Sequence, residues 1–185
     1  MNHLATSKED ILAASRDLKK ENGWAAVSIR AVASRCSVSA GTIYNYYESK
    51  ADLLSDTIES IWHEIFFHPE DEQIFHDVES CISWIYERLE YGNSQFPGFF
   101  SLHSFGFMRD EKTSGKKKMM QTWGHILNGL CEVLENDPKV RSDVFDQEFT
   151  EKKFADILFS LILVSMIRQD YDPSSVLMLV KKTLY

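Results

Sequence analysis

Residues 39–50, SAGTIYNYYESK, set Thr42, Tyr44, Asn45 and Tyr46 almost side by side and close on Lys50. Each of the first four carries a hydrogen-bonding tip. Hydroxyls suit phosphate oxygens, and an asparagine in a groove can pair in bidentate fashion with adenine. Gly41 costs a helix roughly 1 kcal/mol relative to alanine, but it removes a Cβ where a backbone could approach a phosphate. Lys50 falls in the first turn of a helix, where the macrodipole disfavours a cation. An external anion resolves that conflict, because a phosphate would pair with the ammonium and accept from the free N–H groups of the helix start. These residue types point to nucleic-acid contact. Of the three tyrosines, Tyr47 is the one expected to cap a core instead.

Such side chains need a short helix held by others. Ser7 with Asp10 makes a capping box for a first helix carrying Ile11, Leu12, Ala14 and Leu18 and ending at Gly23. Ser28 can cap a second, IRAVASRC, and Ser39 a third, AGTIYNYY. Helix, turn, helix at this spacing is the helix-turn-helix arrangement, with the third helix in the major groove and the second crossing above it. Ala33 is small where helices must cross, and Val38 and Ile43 can lock the third helix down. Ser49 with Asp52 opens a fourth helix over 49–67, about nineteen residues or roughly 28 Å. It is read as the connector from a head of residues 1–50 to a rear domain of residues 51–185.

Periodic apolar residues predict a helix from Ile74 to Leu89 stopped by Gly92–Asn93, and another carrying Met120, Trp123, Leu127, Leu130 and Leu134. FPGFFSLHSFGFM at 96–108 reads as a loop with a short helix, and NDPK ends the next helix and can open a turn. Two closing helices are expected, Glu148 to about Gln169, and a last one opened by Asp172 as cap and Pro173 as first residue. About nine helices and no strand of period two make the expected class all-α.

The chain carries a formal net charge of −8, but unevenly. Residues 1–50 hold seven basic against five acidic side chains, a net of +2, and the remainder carries −10. A basic head on an acidic body is the asymmetry that a DNA contact requires. No apolar run reaches membrane-spanning length. MNHLATSKED has no apolar signal core, so the protein is expected in the cytoplasm and not at a membrane. The three cysteines form no CxxC and read as buried thiols. None of the six histidines forms a tight ligand pair, and no GxSxG, P-loop or HExxH occurs, so neither a metal site, a cofactor nor an enzymatic activity is expected.

VSIRAVASRCSVSAGTIYNYYESKADLL, within a match over about residues 8–55, resembles the signature of TetR/AcrR-type bacterial transcription regulators. The resemblance implies an all-α homodimer that binds a palindromic operator, one head to each major groove, and a rear bundle that takes a small molecule. Carried over by position, Ser28 and Arg30 would touch backbone phosphate at the start of the second helix. Thr42, Asn45 and Tyr46 would face the groove, and Tyr44 and Lys50 would hold phosphates. Ser39, Ala40 and Gly41 complete the implied DNA face. Ala40 stands where the family often has a larger polar residue, so shape readout is expected to supplement few direct contacts.

Within helix 148–169, ILFSLILVSMI is apolar nearly all round, which implies burial on every side and a partner subunit over one face. With the last helix it can build an intermolecular four-helix bundle. The interface expected is Phe154, Ile157, Leu158, Leu161, Ile162, Val164, Ser165 and Arg168, with Leu177, Val180 and Leu184 from the last helix. Candidate ligand-binding residues are Trp62, Phe66, Trp84, Phe99, Phe100, Phe107, Met120 and Trp123, with Arg88 and His103 as polar anchors. An apolar or aromatic effector is favoured. The expected protein is a repressor released by such an effector, which shifts the head separation through the fourth helix. The alternative is a constitutive DNA-binding dimer whose rear domain only dimerises or recruits a protein.

Overall fold

The computed structural model describes residues 6–66, 75–100 and 114–185, the side chains of 114–119 and 122 excepted. These residues form eight α-helices and no strand: α1 (Lys8–Asn22), α2 (Ile29–Arg35), α3 (Ala40–Tyr44), α4 (Lys50–Phe66), α5 (Val78–Gln95), α6 (Ser114–Asn136), α7 (Glu151–Arg168) and α8 (Ser174–Leu184). The short helix expected within 96–108 lies largely outside the described residues.

Local capping chemistry starts the front helices. Ser7 and Asp10 form the full capping box on α1, and Ser28 and Ser39 accept the Ala31 and Thr42 amides of α2 and α3. Ser49 accepts the Asp52 amide at the start of α4 and donates to the Asp52 carboxylate. Gly23 ends α1 with φ of 75°, a conformation that a Cβ would oppose. In the turn between α2 and α3, Ser37 adopts φ of 57° without being glycine.

Two clusters of buried apolar side chains result. Ile11, Val27, Val32, Ile43, Tyr47 and Leu53 lie in the first, and Ile61 to Phe66 of α4 join α5, α6, α7 and α8 in the second. α4 therefore contributes to both. Trp24 packs against both as well.

Three sequence expectations are corrected. Gly92 does not stop α5, which runs on to Gln95. A Cβ at Gly92 would come within 2.6 Å of Ile65 Cδ1, so the glycine serves a close approach of α5 to α4. NDPK ends α6 at Asn136 and opens a turn, in which the Val140 amide donates to the Asp137 carbonyl at 3.2 Å. The buried Asp137 carboxylate accepts from the Val78 and Lys139 amides and the Tyr185 hydroxyl, tying the end of α6 to α5 and α8. α7 begins at Glu151 because Thr150 caps it. α8 begins at Ser174, with Pro173 in the cap position and the Asp172 carboxylate accepting the Ser174 amide.

Candidate nucleic-acid interface and rear cavity

On α3 Ile43 is buried, Ala40 and Thr42 are half-buried, and Gly41 and Tyr44 face out. Tyr44 is 56% exposed and Tyr46 44%, whereas Tyr47 is 3% exposed. Tyr47 lies under Lys8, whose ammonium sits 5.7 Å from the ring centroid and pairs with Asp56 at 2.7 Å. Burial, reinforced by the Asp56 carboxylate, holds the Tyr47 phenol well above its ordinary pKa. The Tyr46 hydroxyl donates to the Thr6 carbonyl at 2.6 Å, so this ring ties α3 to the residues before α1. Thr42 and Ser39 share a hydroxyl hydrogen bond of 3.0 Å at the start of α3. Gly41 and Asn45 are exposed and Ala40 is half-buried.

The charges of the head sort sharply. Lys8 pairs with Asp56, and Arg16 bridges Glu9 and Glu64. Lys20 pairs with Glu64, and Arg35 holds Glu21 at 2.5 Å with Asp17 nearby. Lys19 is 2% exposed and donates to the Pro97 carbonyl at 2.7 Å, with its ammonium 5.9 Å from the ring centroids of both Trp24 and Phe96. Burial without a carboxylate partner pushes its pKa down to about 8. Five of the seven cations are thus engaged inside the chain. Arg30, at the start of α2, and Lys50, at the start of α4, are exposed and form no ion pair with the described residues. The sequence counted seven cations but could not show which were neutralised, since every partner except Glu9 lies two helical turns or more away in the chain.

In the rear, a cavity of about 530 Å³ opens between the end of α4, the start of α5 and the second half of α6. Phe66, Phe75, Trp84 and Ile85 form one wall with Cys81. Trp84 packs against Phe75 at 5.3 Å and edge-on to Phe66 at 5.9 Å between centroids. The α6 wall presents Ile126, Gly129, Leu130 and Val133, with His125, Glu132 and Asn136 as its polar groups.

Of the candidate ligand residues, Phe66 and Trp84 reach this cavity. Trp62, Phe99 and Phe100 do not: they are buried in the rear core, where Trp62 stacks on Phe66 at 5.6 Å. Arg88 is no anchor for an acid. Its guanidinium caps the end of α4 by donating to the Ile65 and Glu64 carbonyls, and it lies over Tyr91. Met120 is exposed, and Trp123 packs edge-on against Phe159. His103 and Phe107 lie outside the described residues. Phe75, Cys81, Gly129 and Glu132 were missed, because a gap between helices leaves no periodic mark on any one of them.

The expected interface also divides. Phe154, Leu158, Ile162, Val180 and Leu184 are buried inside the chain's own rear core and cannot face a partner. The Ser165 hydroxyl is bonded to that of Tyr86. Ile157, Val164 and Arg168 are exposed and Leu161 and Leu177 half-buried, and Ile167, Met178 and Leu179 add exposed apolar surface that the sequence reading did not include. An apolar helix is therefore buried on one side only in the single chain.

The described residues define an all-α protein with a helix-turn-helix head and a helical rear bundle. Residues 11–57 match the model of the family described as bacterial regulatory proteins, tetR family. No curated protein sequence matches the chain. Among solved structures, the transcriptional regulator FadR from Bacillus subtilis, in complex with stearoyl-CoA, is similar at 18% identity and a TM-score of 0.68, covering 97% of this chain and 100% of that one. A tetR-type regulator from Streptomyces avermitilis gives 16% identity and 0.65 over 96% and 98% of the two chains. Reduced NemR from E. coli gives 17% and 0.64 over 96% and 97%. The head segment matches the tetR family model, and the chain as a whole shares the fold of these transcriptional regulators.

Among the described residues no helix is long and apolar enough to cross a membrane, and no group of three or more His, Cys, Asp or Glu could hold a metal ion.

Proposed function

We propose that this chain is a cytoplasmic, dimeric DNA-binding repressor, and not an enzyme, that leaves a palindromic operator when a small apolar or aromatic effector enters the rear domain. The observation that carries the DNA contact is the charge sorting of the head. Of the head's seven cations, only Arg30 and Lys50 are exposed with no ion pair among the described residues, and they bracket α3 in the chain. Each can neutralise a phosphate close to the first amides of its own helix. Asn45, exposed at the end of α3, and Thr42 at its start are then the base-reading candidates, with Tyr44 as a further phosphate contact.

One head has too few contacts for tight binding, and two joined heads add theirs. The outward face of α7 and α8 around Ile157, Val164, Ile167 and Met178 is the surface proposed to join them. The rear cavity is proposed as the effector site. Phe66, the last residue of α4, lines it, and Lys50, the first, lies about 25 Å away along 17 residues. α1 is bound to the same rod by Arg16 and Lys20 through Glu64, so a shift of α4 moves the head with it. An effector preferring one position of α4 changes the fraction of dimers whose heads match successive major grooves, roughly 34–36 Å apart.

The test is operator affinity, with the operator selected on purified protein. Asn45→Ala is expected to lose about 1–3 kcal/mol and relax specificity at one base position. Lys50→Ala is expected to weaken all sequences alike and reduce the salt slope by about 1 per head. Wild-type binding by both variants would sink the assignment of α3 and α4 to DNA.

A further inference from the structure

The rear cavity has an unusual charge pattern for a pocket in a protein. Its walls are largely apolar, and among the described lining residues the exposed Glu132 is the single carboxylate, with no lysine or arginine. No described basic side chain pairs with Glu132, and Arg88, the one arginine on α5, is bound to the end of α4 instead. The wall from α4 and α5 carries three aromatic rings, with Trp84 in contact with both Phe66 and Phe75. A carboxylate at one side and ring faces at the other are the two groups that attract an organic cation, by direct pairing and by the ring quadrupole. Among the described lining residues an anion would meet no lysine or arginine. The −10 carried by residues 51–185 acts in the same direction.

Gly129 supplies the room. It sits inside α6, where glycine costs about 1 kcal/mol relative to alanine. It has no positive φ, and a Cβ there would meet nothing within 4 Å. Neither backbone geometry nor a close neighbour requires the glycine, so what its bare Cα provides is cavity volume. About 530 Å³ is within the range of pockets that take drug-sized molecules.

We infer that the cavity binds a lipophilic organic cation, with Glu132 as its counter-charge and Trp84, Phe75 and Phe66 as its aromatic wall. This rests on the proposed effector site and narrows its ligand class. His125 and Asn136 on the same edge of α6 are available to a polar substituent of the ligand.

Tetraphenylphosphonium and tetraphenylborate test it, since they share shape and apolar surface and differ in the sign of charge. Binding is measured directly on the DNA-free, full-length protein by titration calorimetry, so the result is independent of operator recognition. Failure of DNA binding leaves this inference standing, and failure of cation binding leaves the DNA reading standing. The phosphonium is expected to bind at least tenfold tighter than the borate. Glu132→Gln should reduce phosphonium affinity about five- to tenfold and narrow the preference between the ions. Gly129→Leu, which suits a helix and fills the space, should abolish binding while circular dichroism and melting temperature are retained. Borate binding equal to or tighter than phosphonium, a preference unmoved by Glu132→Gln, full binding by Gly129→Leu, or no binding of either ion would each overturn the inference.

Discussion

The head and the rear bundle reach order by different means. In the head, helices of 5 to 15 residues are capped by Ser7, Ser28 and Ser39, and each serine satisfies an amide three residues on. The rear bundle draws on contacts far apart in sequence: Asp137 with Val78 and Tyr185, Tyr86 with Ser165, Gly92 against Ile65. The charges differ as well. The head pairs four of its cations with carboxylates, buries Lys19 and leaves Arg30 and Lys50 exposed with no ion pair among the described residues, while in the rear no described basic side chain pairs with Glu132. The lesson is that the exposed, unsatisfied groups of each region, and not its total charge, indicate its proposed partner.

Substitutions can break this contrast, the largest effect coming from α7. Leu158 is fully buried in the rear core and Ile157 beside it is exposed. Leu158→Ala is expected to cost about 2–5 kcal/mol of unfolding free energy in urea titrations. Ile157→Asp should leave the subunit folded by circular dichroism and shift sedimentation toward monomer. If Ile157→Asp sediments as wild type, the outward face of α7 is not the joining surface.

Lys19 probes the junction between the two regions. Its folded pKa, about 8, lies below the ordinary 10.5, so the unfolded chain holds more protons between these values. Stability contributed by this group therefore rises with pH across that window, by up to about 3 kcal/mol. Cysteines and tyrosines titrate nearby in pH, so the measurement is the difference between wild type and Lys19→Met in urea unfolding from pH 7.5 to 10.5. Wild type should gain on the variant as pH rises. Parallel curves would mean that the buried ammonium is better solvated than its 2% exposure indicates.

The smallest effect lies in the turn of the head. Ser37 holds φ of 57°, a region glycine enters without a Cβ penalty. Ser37→Gly should stabilise the chain by a few tenths of a kcal/mol to about 1, the relief of strain exceeding the added freedom of the unfolded chain. A melting temperature unchanged or lowered would show that the turn is not strained.

Much of the architecture was legible. Period-3.6 patterns and caps located the helices to within a few residues, and the split among the tyrosines, with Tyr47 inward, followed from its place beyond Ile43. What misled was local grammar without its neighbours. Gly92 reads as a stop until Ile65 is seen against it, and Pro173 reads as a first helical residue although Asp172 accepts from Ser174. Uniform apolarity on α7 suggested burial all round, but periodicity cannot say whether the second layer belongs to the same chain. That is why Phe154, Leu158 and Ile162 were expected at an interface when their own core covers them.

By itself the sequence determined the all-α class, the capped front helices and the residue types offered on α3, because those depend on bonds and spacings within a few residues. Only the tertiary structure decided which cations remain free, which face of α7 is exposed and where Gly129 leaves a cavity. Each of these depends on groups brought together from distant parts of the chain, and burial, pairing and empty volume exist only once the helices have packed.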